Sequence, residues 1–408
     1  AQISAQTKAS GDGGNINISG PEKLNITGNG QISASTSGAG KGGNIDISAP
    51  ETTLNITGNG QISASTSSTS SKGEGGNIQL NATEKLNITG NGQISASTSS
   101  TGLGGNIELK ATETIDITGD GEISVKTTGE GNAGNISIET QNLTTDQRKI
   151  TASTQAEGTG GAITAKTDTL SLDNNSQLTV EANSSGDAGD INIETGSLTV
   201  DNGAQVSAQT EGTGKGGNVN ITTRSVTAQN EAQISSSTYS KGDAGNIDIR
   251  ATELEVKDNA KISARTIKSG EGGNIIINTP DTLNITGNGE ITVNSRGAGH
   301  AGTIEIISPN ITLSEGIDIT AFTSGPGNAG KINLEGQKIN IQPYTKIQAF
   351  TEDTGDGGDI TLKATEILNL AANSQLSVET NRSGKAGNIE ITTPQVTIGD
   401  NAQINATV

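Results

Sequence analysis

The chain has 408 residues, a net charge of -19 and 29% hydrophobic residues, with no Cys, Met or Trp and only two Tyr and two Phe. No Cys means no disulfide and no thiolate metal centre, and the acidic balance argues against charge-driven binding to nucleic acid or an anionic membrane. No apolar run exceeds a few residues, so no segment is long enough to span a bilayer as a helix.

Sparse aliphatics and high net charge place the chain near the disorder boundary. Position decides against disorder, because the aliphatics fall at fixed places in a repeat. The chain opens on Gln2-Ile3-Ser4-Ala5, returns to the same element at Gln31-Ile32-Ser33-Ala34, and ends on Gln403-Ile404-Asn405-Ala406. Both ends cut through the pattern without a cap. We expect residues 1–408 to form one continuous repeat region, uncapped at both ends and part of a longer chain.

The marker of the repeat is a glycine before Asn-Ile-x-Ile or a near variant. It stands at Gly14, Gly43, Gly76, Gly105, Gly134, Gly161, Gly189, Gly217, Gly245, Gly273, Gly302, Gly330, Gly358 and Gly387, mostly 28 or 29 residues apart. A period of this length is the signature of a solenoid. In residues 14–41, Asn15-Ile16-Asn17-Ile18-Ser19 alternates apolar and polar, which is strand period. A break at Gly20-Pro21-Glu22-Lys23 precedes a second alternating stretch, Leu24-Asn25-Ile26-Thr27. Gly28-Asn29-Gly30 is a tight turn that calls for positive φ. Gln31-Ile32-Ser33-Ala34-Ser35-Thr36 gives a third strand, and a Ser- and Gly-rich loop leads to the next marker.

One unit has too few inward side chains to offset the ordering of its own backbone, so stability must come from stacking. The arrangement this predicts is all-β: a right-handed parallel β-helix of about 14 coils of 28–29 residues, with three short strands per coil. At ~4.8 Å per coil it would be a rod roughly 70 Å long. The first strand supplies an inward column from Ile16 to Ile389, broken only by Val219, and the third supplies another from Ile32 to Leu376. Two residues after each member of the latter stands a small side chain, such as Ala34, Val125 or Ser236. The marker glycine should sit where positive φ or close backbone approach excludes Cβ. The Asn that usually follows it should form an amide ladder along the axis.

Departures from the pattern are the candidates for function. The largest insertion, Ser67–Glu74, holds only Ser, Thr, Lys, Gly and Glu. In residues 143–165, Thr145-Asp146-Gln147-Arg148 replaces the Gly-Asn-Gly turn and Ala165 replaces an Ile or Leu, which predicts an underpacked, mobile rung. Ser33, Ser63, Ser95, Ser124, Thr151, Thr179, Ser207, Ser235, Ser263 and Thr292 form an outward hydroxyl row, an arrangement that resembles ice-binding surfaces. Lys41, Lys72, Lys215 and Lys241 recur in loops and read as solvated charge, and His300, the sole imidazole, reads as a solvated loop residue. Gly355-Asp356-Gly357-Gly358-Asp359 imitates a calcium repeat but lacks its nine-residue period. The Asn-x-Ser/Thr triplets follow from strand alternation. Phe322 and Phe350 fall at equivalent outward positions one coil apart, to stack or to offer a glycan platform. With Tyr239 they are the expected exposed contact residues. No catalytic, cofactor or metal residues are expected.

Together Gly13-Gly14-Asn15-Ile16-Asn17-Ile18, Leu24-Asn25-Ile26-Thr27-Gly28-Asn29-Gly30 and Gln31-Ile32-Ser33-Ala34-Ser35-Thr36 resemble the repeat region of filamentous-haemagglutinin-like exoproteins of the two-partner secretion type, in the style common in cyanobacteria. The resemblance covers essentially the whole chain, although the amino-terminal secretion domain of that family has no counterpart in it. It implies a secreted, cell-surface adhesin exported through an outer-membrane partner, with host or matrix glycans and other copies of itself as partners. The reading chosen is an extracellular structural or adhesive rod without catalysis. The alternatives are a β-helical polysaccharide-active enzyme, which needs carboxylates and a Lys or Arg gathered in one groove, and an ice-binding surface protein.

Overall fold

The structure is a computed structural model that describes residues 1–49, 52–67, 73–314 and 316–408. All regular structure among the described residues is β, wound as a parallel β-helix of about 14 turns. Contacts gather the chain into two compact units, Ala1–Gly196 with Ala204–Gly214 and Ser197–Gly203 with Lys215–Val408.

In the first unit, the coil after Gly105 illustrates the plan. Its strands are Ile107–Ala111, Thr114–Thr118 and Glu122–Thr127. Each pairs in parallel with its counterpart on the coils before and after, so that Ile107 faces Ile78 and Ile136, and Ile123 faces Ile94 and Ile150. The register cannot drift by one residue, because that would turn every buried Ile to solvent. The predicted columns are the core: Ile107, Leu109, Ile115, Ile117, Ile123 and Val125 are all at most 1% exposed.

A further inward column is polar. Thr36, Thr66, Thr98, Thr127, Thr154 and Thr210 share the parity of the Ile and Ala before them and are at most 2% exposed. Several donate their hydroxyl to a loop carbonyl: Thr66 to Glu74 at 2.6 Å and Thr127 to Asn132 at 2.9 Å in the loop that follows, and Thr98 to Gly73 at 2.9 Å in the loop of the coil before. Buried loop carbonyls need such partners, and the hydroxyl supplies them from inside the coil.

The marker glycine answers one of the two reasons proposed for it. Gly105 is not among the residues with positive φ. A Cβ there would overlap the carbonyl oxygen of Gly76 one coil earlier, so close approach alone excludes it. A second glycine three residues earlier is equally unvarying, from Gly11 and Gly40 through Gly131 to Gly384. A Cβ on Gly131 would meet the carbonyl of Gly102 in the same way. Positive φ belongs instead to the tight turns, at Gly28, Gly58, Gly90 and Gly119.

At the expected underpacked rung, Ala165 and Thr145 are fully enclosed, and so is Arg148, at 0% exposed. Its guanidinium reaches back to the carbonyls of Gly90 (3.2 Å) and Ile88 (3.4 Å), across the space that the missing side chain of Gly121 leaves.

The second unit follows the same plan with two changes. First and second strands merge into single 11-residue strands at Lys331–Ile341 and Ile360–Leu370. This departs from three strands per coil, and the pair adjusts its register between Gly336 and Lys338. The other change is a slip. Leu254 faces Ile285, where the repeat would place Leu283.

Candidate contact surfaces

The two Phe side chains meet as expected. Phe322 and Phe350 are in register on neighbouring third strands, with centroids 5.2 Å apart and planes 8° from parallel. Side chains stacked along a ladder turn their edges, not their faces, to solvent, and face contact is what a sugar ring would need. The same outward column runs Arg265, Asn294, Phe322, Phe350, Glu379. Tyr239 does not join the Phe pair. It lies under Arg265, whose guanidinium carbon is 5.6 Å from its ring centroid, and its hydroxyl accepts from Arg265 Nη2 at 3.4 Å. An aromatic pair and a cation–π pair thus share one face of the second unit, with Asn294 in the column between them. Arg265 Nε, Asn294 Oδ1 and Thr292 Oγ1 are buried there without a hydrogen-bond partner.

Tyr344 was not singled out by sequence reasoning. It is 67% exposed and holds φ 65°, at a turn position where neighbouring coils place Gly316 or Asn373. The signal was available, since a bulky residue there is under strain.

The hydroxyl row faces outward, but it is not free. Ser33, Ser124, Thr179, Ser207, Ser235 and Thr292 are buried among their neighbours. In the first unit the hydroxyls bond one another: Ser33 to Ser35 at 3.1 Å, Ser35 with Ser63 at 3.1 Å, and Ser63 to Ser65 at 3.2 Å.

The Asn ladder exists in a different form from the one expected. Asn15 Oδ1 accepts the backbone N–H of Asn44 at 2.8 Å, Asn44 that of Asn77 at 2.9 Å, Asn77 that of Asn106 at 2.9 Å, and Asn106 that of Asn135 at 2.8 Å. The constant role of the side chain is as acceptor, which explains why Asp359 can replace Asn and accept from Asn388 at 3.1 Å. An amide-to-amide bond of the expected kind joins Asn106 Nδ2 to Asn77 Oδ1 at 3.2 Å. True amide-to-amide ladders occur on the second strand and its turn, as in Asn25–Asn55–Asn87. Asp356 accepts the N–H of Lys385 at 2.9 Å in a separate row of the loop, so both carboxylates of the calcium-like stretch bond the next coil. Among the described residues no group of three or more His, Cys, Asp or Glu could hold a metal.

Loop charges pair across coils. Lys41 meets Glu74 at 2.6 Å and Lys215 meets Asp243 at 3.8 Å, both solvent-exposed and of small energetic worth. Lys72 and most of the Ser67–Glu74 insertion lie outside the described residues.

Four shifted groups reveal local environments. Burial pulls the Arg148 guanidinium down to about 10, with Asp120 opposing. Burial also pushes the Glu181 carboxyl up against the bond from Gln209, and it pushes Asp318 up against the pull of Lys346. At Asp201, burial is outweighed by hydrogen bonds from Gln229, Asn230 and the Asn202 amide, which hold it low.

The register slip leaves a shallow groove of about 310 Å³ on the second unit. Ser225, Thr227, Glu253, Glu255, Asn284 and Thr286 line it, and Glu255 binds Lys257 at 2.8 Å. No helix of the structure is long and apolar enough to cross a membrane among the described residues. Compared with protein-family models, curated proteins and solved structures, the chain finds no match.

Proposed function

We propose that the chain is a structural and adhesive β-solenoid rod of an extracellular or cell-surface fibre, and that it does no catalysis. The observation that carries this reading is where the outward polar groups go. Coil after coil, Asn, Asp, Ser and Thr bond the next coil along the axis. A surface built this way holds a shape over distance and repeats the same features at each step, which is what a stalk or fibre requires. Secretion, export through an outer-membrane partner, glycan contacts and self-association belong to the same proposal, and they rest on the resemblance of the repeats. Protease treatment of intact cells tests it. The chain should be shaved from the surface, and electron microscopy of the released material should show thin fibres. Protection in intact cells with release only on lysis would overturn it.

One observation favours a second reading, a polysaccharide-active enzyme. Glu253 and Glu255 project from the same strand face with Lys257 alongside, in the groove made by the register slip. Carboxylates two residues apart on a strand are about 7 Å apart, a separation that glycoside hydrolysis can use. Incubation with acidic polysaccharides and an assay for new reducing or unsaturated ends decides between the readings. Turnover that disappears in Glu253→Gln and Glu255→Gln would establish the enzyme.

A further inference from the structure

We propose that His300 is a pH-sensitive latch in the loop ladder of the second unit. In five successive loops of this unit, the side chain just after the second invariant glycine bonds the loop that follows. Asp243 Oδ1 accepts the N–H of Glu271 at 3.0 Å, and Glu271 Oε2 accepts that of His300 at 2.9 Å. His300 Nδ1 accepts the N–H of Asn328 at 2.8 Å, Asn328 Oδ1 that of Asp356 at 2.9 Å, and Asp356 Oδ1 that of Lys385 at 2.9 Å. Five acceptors thus hold six loops in a row, and His300 is the only one whose acceptor is a ring nitrogen.

Nδ1 can accept only while it carries a lone pair, which fixes the ring as the neutral tautomer with its proton on Nε2. Imidazole is the side chain that ordinarily changes charge between pH 5 and 8. Protonation at Nδ1 sets one N–H against another and removes the acceptor. The nearest carboxylate in the row is that of Glu271, whose Oε2 bonds the backbone N–H of His300 and not its ring. The other charged groups on the loops and strand starts of the neighbouring coils are Asp243, Lys268, Arg296, Glu305, Lys331, Asp356 and Asp359. The cationic ring can no longer accept, and the Asn328 amide is left open to water. Below and above this rung, the carboxylate and amide acceptors keep their bonds at the same pH. The row therefore parts at one place first, between the loops 296–300 and 324–328.

The chain has a single His, so its ring signals are unambiguous. In the full chain, protection of the Asn328 amide against hydrogen exchange, corrected for intrinsic rates, should fall at least tenfold between pH 7.5 and 5.0. Protection of the Lys385 amide should not change over that range. His300→Asn restores the acceptor found at the equivalent position 328 and should abolish the fall. The imidazole ¹⁵N spectrum at pH 7.5 should show the proton on Nε2. Equal Asn328 protection at both pH values, an undiminished fall in His300→Asn, or a proton on Nδ1 at pH 7.5 would each overturn the latch.

Discussion

Adjacent glycines in one loop should respond to the same substitution in different ways. A Cβ on Gly105 overlaps the Gly76 carbonyl oxygen and comes 2.7 Å from its carbon and 2.9 Å from that of Gly75. All three atoms are backbone within the stacked corner, so none can rotate aside. Overpacking of this kind costs about 1–3 kcal/mol. Lifting the corner also strains the bonds from Gly105 N–H to Ala96 (2.8 Å) and from Ile107 N–H to Asn135 (2.9 Å). Those add about 1 kcal/mol each, so Gly105→Ala should cost about 3–5 kcal/mol. A Cβ on Gly104 meets the Gly134 nitrogen at 2.7 Å and Thr127 Oγ1 at 3.1 Å. The next coil already carries Ala133 at that place, so a shift of a few tenths of an ångström suffices. Gly104→Ala should cost about 1 kcal/mol. Long stacks need not unfold in one step, so the readout is native-state hydrogen exchange over residues 96–107. Opening free energies for the two variants within 1 kcal/mol of each other would refute the close-approach account.

Arg148 fills volume but leaves its Nε unpaired, so Arg148→Met should lie within about 1 kcal/mol of the parent, while Arg148→Ala opens a cavity and should cost about 2–5 kcal/mol; equal urea midpoints for the two would contradict this. Tyr344→Asn relieves a bulky side chain at φ 65° and should stabilise by about 1 kcal/mol, read as a higher melting temperature. Burial raises the Glu181 carboxyl in the folded state, so folding binds its proton more tightly than the unfolded chain does. Its contribution is then fully present below the ordinary Glu value and is lost as pH rises through the raised one. Glu181→Gln should be more stable than the parent by a few tenths of a kcal/mol at pH 7 and lose that advantage below about pH 4; an advantage independent of pH would rule out the burial argument.

The period and the apolar columns could be read from the chain because burial of Ile, Leu and Val at strand spacing leaves a direct trace in composition. The Thr column could not be found that way. A buried Thr and an exposed Thr look alike to a hydrophobic reading, and only parity with Ile32 and Ala34 would have placed Thr36 inside. The second glycine column was hidden for a related reason: its loop reads as merely Ser- and Gly-rich, although Gly11 to Gly384 never vary. The enclosure of Arg148 could not be read from the chain, because its destination depends on the space above Gly121. Of the contact residues, the Phe pair followed from equivalent positions in the repeat. Tyr239 with Arg265 required the side-chain geometry. The groove at Glu253 and Glu255 depends on a register slip that no local pattern announces.

Because the ladder from Asn15 to Asn135 asks each side chain for an oxygen, with Asn106 also spending its NH2 on Asn77 Oδ1, most of its steps are indifferent to a common form of chemical ageing. Deamidation turns Asn into Asp and leaves an oxygen where the next coil's N–H points. The amide-to-amide rows, such as Asn25–Asn55–Asn87, have no such tolerance, since each of their bonds spends the NH2 group. Age would therefore be written on this chain unevenly. The corner beside the marker glycines gains negative charge while keeping its grip, and loosening begins on the second strands.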